Sequence, residues 1–219
     1  MRLVKSDGGF DLLLGGHAVL AHRFDKPAFS IARGNPEVAM VRGNFRMSDR
    51  PQSAPDLVLP QSHGADEFEH RFELGDAAQS AGLTGTLDTG SQVLHLRASA
   101  GYDRIAVDFS LGPDDVLWGG GEQMSYLALN GRKFPLWTSE PGVGREPGTP
   151  LTNLASADGS FAGGDFWTTN YPEPTVLCSA GWALSLGNAE YCEFDCSVAG
   201  RLRITVWSGE VTLALFAGD

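Results

Sequence analysis

The chain lacks a basic excess, a long apolar run, a pairable set of cysteines and any helical periodicity, and each absence removes a class of protein. Sixteen Lys and Arg against 27 Asp and Glu leave a formal net charge of −11. No cationic face is therefore expected to displace counterions from a nucleic acid or to dock on an anionic membrane. No stretch approaches the roughly 18 apolar residues of a membrane span, and the opening MRLVKSDGGFDLLLGG has no sustained apolar core of a secretory signal. Three cysteines, an odd number, stand at 178, 192 and 196. Cys192 and Cys196 fall on one face of an extended segment, about 13 Å apart at a strand's rise, which is beyond disulfide reach. Zinc-like spacing is missing as well, because the five histidines are scattered. Neither metal nor cofactor is expected. The thiols read as small core residues in a reducing, cytoplasmic setting.

What the chain does have is alternation. Its 42% hydrophobic content is ample for the core of one large all-β domain spanning residues 1–219. Leu202, Ile204 and Val206 alternate with Arg201, Arg203 and Thr205. Cys192, Phe194 and Cys196 alternate with Glu193 and Asp195, and Ile105, Val107 and Phe109 with Asp108 and Ser110. Shorter runs of the same kind are Phe10–Leu14, Ala18–Arg23, Phe29–Arg33, Phe45–Ser48, Arg71–Leu74, Val93–Ala98, Trp182–Leu186 and Val211–Phe216. Period two predicts half-buried strands of antiparallel sheets. Gly15-Gly16, Gly34-Asn35-Pro36, Asp88-Thr89-Gly90, Gly112-Pro113-Asp114 and Gly187-Asn188 read as turns between them. Residues 49–66, rich in proline and polar side chains, read as a long surface loop. With no amphipathic helix and no internal repeat, the fold class is an antiparallel β-sandwich.

Residues 119–176 interrupt this rhythm with glycine, proline and large aromatics, and a loop-rich excursion of that length is usually functional. Sugars present apolar C–H faces and a ring of hydroxyls, so their sites pair aromatic platforms with planar hydrogen-bonding groups. The excursion supplies Glu122, Gln123, Glu140 and Asp165 as acceptors, and Arg132, Lys133 and Arg145 as donors. Its rings are Tyr126, Phe134, Trp137, Phe166, Trp167 and Tyr171, with Trp118 just ahead. Gly119–Gly121 permits unusual dihedrals or a close approach of another segment; the spacing of a phosphate loop is absent. Trp118, Phe134 and Trp137 fit core packing or a domain interface as well as a ring platform, and Arg132-Lys133 fits a solvated turn.

Two stretches, GGGEQMSYLALNGRKFPLWTSEPGVGR (119–145) and GGDFWTTNYPEPT (163–175), resemble the N-terminal domain of glycoside hydrolase family 31, most of all its sulfoquinovosidases. The resemblance implies a sandwich of the galactose-mutarotase-like type with long loops. It also implies a retaining exo-α-glycosidase acting on α-sulfoquinovosides or α-glucosides, in which two Asp residues serve as nucleophile and acid/base. Both belong to a (β/α)₈ barrel of about 250 residues that follows the sandwich in the family. The chain ends at Asp219, about where that barrel is expected to start. No catalytic residue is therefore assigned, and this chain alone is expected to be inactive, with the barrel as its missing partner.

The carried-over substrate contacts are Glu140 first, then Glu122 and Gln123. Phe166, Trp167 and Tyr171 are walls of the leaving-group side, or inter-domain packing. A free-standing carbohydrate-binding module and a protein-interaction domain remain as alternatives. An epimerase would need a base and an acid in one concave site, yet His17, His22, His63, His70 and His95 all precede the excursion and form no motif.

Overall fold

Alternation becomes burial. In the strand Arg201–Val206 the side chains of Leu202, Ile204 and Val206 are buried, while Arg201, Arg203 and Thr205 are half-exposed. The computed structural model describes residues 1–51, 57–58, 61–66, 70–76, 80–122 and 125–218. Its elements run β1 (Arg2–Ser6), β2 (Gly9–Leu14), β3 (His17–Arg23), β4 (Phe29–Ala32), β5 (Gly34–Val41), β6 (Asn44–Pro51), β7 (Leu57–Val58), β8 (Gln61–Asp66), β9 (Arg71–Asp76) and β10 (Ala81–Asp88). They continue with β11 (Val93–Ala98), β12 (Arg104–Ser110), β13 (Leu117–Gly121), β14 (Lys133–Leu136), α1 (Pro150–Ala155), β15 (Pro172–Cys178), β16 (Trp182–Leu186), β17 (Cys192–Asp195), β18 (Arg201–Val206) and β19 (Glu210–Ala217).

An eight-stranded sheet, β13-β15-β16-β19-β11-β10-β9-β8, and a six-stranded sheet, β14-β17-β18-β12-β4-β7, form the sandwich, with β1-β2-β3 and the hairpin β5-β6 beside them. One apolar core joins Leu94, Leu184 and Leu213 of the larger sheet to Ile105, Phe194 and Ile204 of the smaller. The antiparallel sandwich read from the sequence is the observed fold. Cys178, Cys192 and Cys196 are free and buried in it, and burial pushes the Cys192 and Cys196 thiols up to about 12.

Three local expectations are corrected. Gly34-Asn35-Pro36 is not a turn but the start of β5; proline is tolerated there because the hairpin is two-stranded and β5 has a free edge. The stretch 49–66 is not one loop: its described residues include the end of β6, then β7 and β8. A short helix, α1, does form; Thr149 caps it by accepting the Thr152 N–H, and Pro150 opens it, as helix starts favour.

The hairpin β5-β6 turns through Arg42 and Gly43, both left-handed at φ 52° and 79°, the two-residue form that matches strand twist. Asp49 clips it to the sandwich, accepting from Arg104 Nε at 2.9 Å, Trp207 Nε1 at 3.0 Å and the Asn35 N–H at 3.0 Å. Burial works against the Asp49 charge, but Arg104, Trp207 and Asn35 together hold its carboxyl below the usual range. At its far end the hairpin leans on the excursion through an Arg42–Asp158 ion pair at 2.9 Å.

His22 sits fully buried among rings, stacked on Phe10 at 5.0 Å and tilted against Phe29 at 5.7 Å. Its Nδ1 accepts the Ala28 N–H at 3.2 Å. Burial first, and then the charge of Arg23, lowers its pKa from 6.5 to about 4. Below pH 6.5 the unfolded chain takes up a proton that the folded chain refuses until about 4, so this residue makes stability fall as pH falls through that window. The loss approaches about 3 kcal/mol at the acid end. Urea denaturation from pH 7.5 down to 4.5 should show it. His22→Gln, which keeps an acceptor for Ala28 but does not titrate, should flatten the slope, and an equal slope in both proteins rules the assignment out.

Candidate functional site

The excursion leaves the six-stranded sheet after β14 and returns as β15, and its shape is set by main chain packed on main chain. Thr138 bridges Thr169 in parallel, and the Ser139 N–H reaches the Thr169 carbonyl at 2.9 Å. Further on, the Arg145 N–H donates to the Gly163 carbonyl at 2.9 Å, and Arg145 Nη2 donates to the Thr168 carbonyl. Gly142 makes the contact possible: a Cβ there would lie 2.2 Å from the Gly163 oxygen. Arg145 and Phe161 hold left-handed backbone at φ 55° and 61°, a cost that the surrounding packing must offset.

On this base Glu140 is exposed, next to the buried Ser139. Its carboxylate has no hydrogen bond or ion pair among the described residues. The parallel bridge sets Glu140 beside the segment that leads to Tyr171, which is 65% exposed. Glu122, also exposed, is tied to the same segment, because its N–H donates to the Tyr171 carbonyl at 3.2 Å. The preceding glycines allow that approach. Gly121 has φ 110°, and a Cβ on it would meet the Tyr171 oxygen at 2.2 Å. Gln123 lies outside the described residues. Glu140, Glu122 and Tyr171 are thus all exposed, and main-chain links tie the segments of both carboxylates to the one that ends at Tyr171.

The other two aromatics point elsewhere. Phe166 is half-buried on the sandwich core, edge-on to Phe134 at 6.2 Å and to Tyr126 at 5.6 Å, and anchors the loop. Trp167 packs partly on the core and lines a cavity of about 490 Å³ between the hairpin and the excursion. Trp137 and Asp165 line it too, and from the hairpin come Asn44, Phe45 and Arg46. Burial raises the Asp165 carboxyl above its usual range, against hydrogen bonds from the Phe166 N–H and the Trp167 side chain. Phe134 is core, and Arg132 is tied into its turn by the Ala128 and Asn130 carbonyls at 3.0 Å each, with its guanidinium 3.6 Å over Tyr126. Lys133 pairs with Glu193 at 2.7 Å. The sequence reading did not single out Asn44 or Arg46. The alternation at Phe45–Ser48 marked one strand of the hairpin that carries them, and Gly43 is the local signal for its turn.

No protein-family model matches the chain. It aligns over its full length with the sulfoquinovosidase of Agrobacterium fabrum, at 34% identity over 226 residues and 32% of that protein. The Escherichia coli sulfoquinovosidase gives 31% identity over 219 residues, covering 98% of this chain and 32% of that protein. A family 31 sulfoquinovosidase from E. rectale, solved with an aza-sugar inhibitor, matches all of this chain and 32% of its own with a TM-score of 0.82 and 27% identity. The chain is thus an antiparallel sandwich of the kind found in glycoside hydrolases. More narrowly, it is similar over 98% or more of its length to two sulfoquinovosidases and to one solved family 31 sulfoquinovosidase, and it spans about a third of the length of each.

The glycine contact can be tested directly. Gly142→Ala should drive the Gly163 carbonyl away and loosen residues 138–170 by about 2 kcal/mol. Hydrogen exchange should then speed up across that segment while β12 and β18 stay protected; unchanged exchange there would mean the loop is held by something else.

Proposed function

We propose that the chain is the N-terminal accessory domain of a retaining exo-α-glycosidase that hydrolyses α-sulfoquinovosides, or plain α-glucosides. The observation that carries this reading is the match of the entire chain, in sequence and in fold, to sulfoquinovosidases. Nucleophile and acid/base belong to the catalytic domain that completes such an enzyme, and the chain alone is inactive. Its contribution is an exposed rim. Glu140, free of internal partners on a loop fixed by main-chain bonds, accepts hydrogen bonds from the hydroxyls of the glycone. Glu122 extends that edge, with Gln123 next to it in the sequence as a further contact, and Tyr171 walls the leaving-group side.

The exposed apolar side chains of the excursion support a neighbour on this side: Leu127, Val143, Leu154 and Tyr171 are all more than half exposed, more than a solvent-facing loop needs. The enzyme works in the cytoplasm on this reading, which agrees with three unpaired thiols.

Glu140→Gln keeps the shape of the side chain and removes its charge. A charge-assisted hydrogen bond is worth about 1.5–3 kcal/mol, so kcat/KM of the complete enzyme on an α-sulfoquinovoside should fall about ten- to a hundredfold. A change within about twofold would take Glu140 out of the site.

A further inference from the structure

The cavity under the β5-β6 hairpin is lined by an asparagine whose amide has no partner among the described residues. Asn44 is only 5% exposed, and its main chain sits in the hairpin ladder opposite Val41. Its carboxamide, which lines the cavity, has no hydrogen-bonding partner among the described residues. Its side-chain atoms are not among the sealed, unpaired ones, so the amide opens onto the cavity with its hydrogen-bonding capacity left over for what enters there. Arg46, two residues on, lies 3.9 Å over the Phe161 ring and makes no ion pair among the described residues. Across the cavity Asn153 of α1 adds a second amide without an internal side-chain partner. Trp137, held by Phe45 at 5.5 Å and Tyr191 at 5.0 Å, supplies an aromatic wall.

Planar donors and acceptors beside aromatic surface suit a polyol, whose hydroxyls take both roles and whose C–H faces are apolar. Among the described residues Arg46 and Asp165 are the only charged ones in the lining and oppose each other in sign, so the cavity favours a neutral ligand. Its volume of about 490 Å³ lies in the range of small-molecule sites.

We propose that this cavity is a polyol-binding subsite, built entirely from this chain, in which the Asn44 carboxamide and the Arg46 guanidinium hold vicinal hydroxyls of a neutral sugar or a glycerol group. It goes beyond the function proposed above: it requires neither Glu140 nor another domain. The two are divided at one peptide bond, with Ser139 lining the cavity and Glu140 exposed on the rim.

The test is a titration of the 219-residue chain with methyl α-glucoside and, separately, with glycerol, followed by tryptophan fluorescence and calorimetry. Saturable millimolar binding of either is expected; preference for the glucoside identifies a sugar ring as the occupant, and equal affinity identifies the diol alone. Asn44→Ala and Arg46→Ala should each weaken binding about tenfold, while Glu140→Gln leaves it unchanged. Should Asn44→Ala disturb folding, Arg46→Ala decides, because that side chain is exposed and its loss should leave the melting temperature in place. No saturation with either probe up to about 100 mM overturns the proposal. So does binding that Glu140→Gln abolishes and both cavity variants leave intact.

Discussion

The close contact of the Glu140 loop with the Gly163–Thr169 segment is the constraint on which the shape of the excursion depends. It is made of main-chain bonds from Ser139 and Arg145 and of glycines with no room for a Cβ. Main-chain contact of this kind leaves no rotamers to reorder, so the side chains that rise from it start from a fixed base. Thr152 and Ser156 of the α1 region close the same unit from below. The Ser156 hydroxyl accepts the Gly163 N–H at 2.9 Å, and a Cβ at Gly144 would collide with the Thr152 hydroxyl. A six-residue helix is marginal alone; here its Thr149 cap and this packing hold it.

The hairpin is held differently, by charge and rings at its two ends. Asp49 joins it to Arg104 and Trp207, and a buried guanidinium such as Arg104, 6% exposed, is tolerable only with that carboxylate in place. Phe45 rests on Trp137, Trp137 on Tyr191 and Tyr191 on Trp207, so one chain of rings runs from the hairpin back to the carboxylate that clips it. The Arg42–Asp158 pair at the other end is largely exposed and contributes little. The hairpin is therefore held over the cavity by that ring chain and Asp49 more than by its tip.

Strands whose inward positions are aliphatic or aromatic, such as β12, β18 and β19, were legible because burial on one face imposes period two. Others were hidden by their own composition. In β10 the sequence AGLTGTLD places Gly and Thr where larger side chains would mark the pattern, and Gly85 is required there because the Phe72 ring occupies the space of its Cβ. β13 is masked by its glycines, and β5, β14 and β15 by prolines. Of the candidate site, the exposure of Glu140 in a turn-rich loop was legible, because that much is decided locally. The cavity could not: Asn44 and Asp165 come from segments more than a hundred residues apart, and no local pattern encodes their meeting. Phe166 shows the converse limit, since an aromatic beside a glycine pair fits core anchor and ligand wall alike until packing decides.

The same short loop has one side on each of two environments. Ser139 is buried at the cavity while its neighbour Glu140 stands free in solvent, and further along the same loop the Arg145 guanidinium donates to the carbonyl of Thr168, itself a cavity residue. A ligand that stiffened the cavity would act on Trp167, Thr168 and Ser139, and therefore on the main chain from which Glu140 and Tyr171 rise. A rigid loop transmits such a bias without a change of fold, because the conformational freedom removed on one side is no longer available on the other. The glycines that bring the two segments of main chain together thus fix Glu140 in position directly beside the cavity residues Ser139 and Thr168.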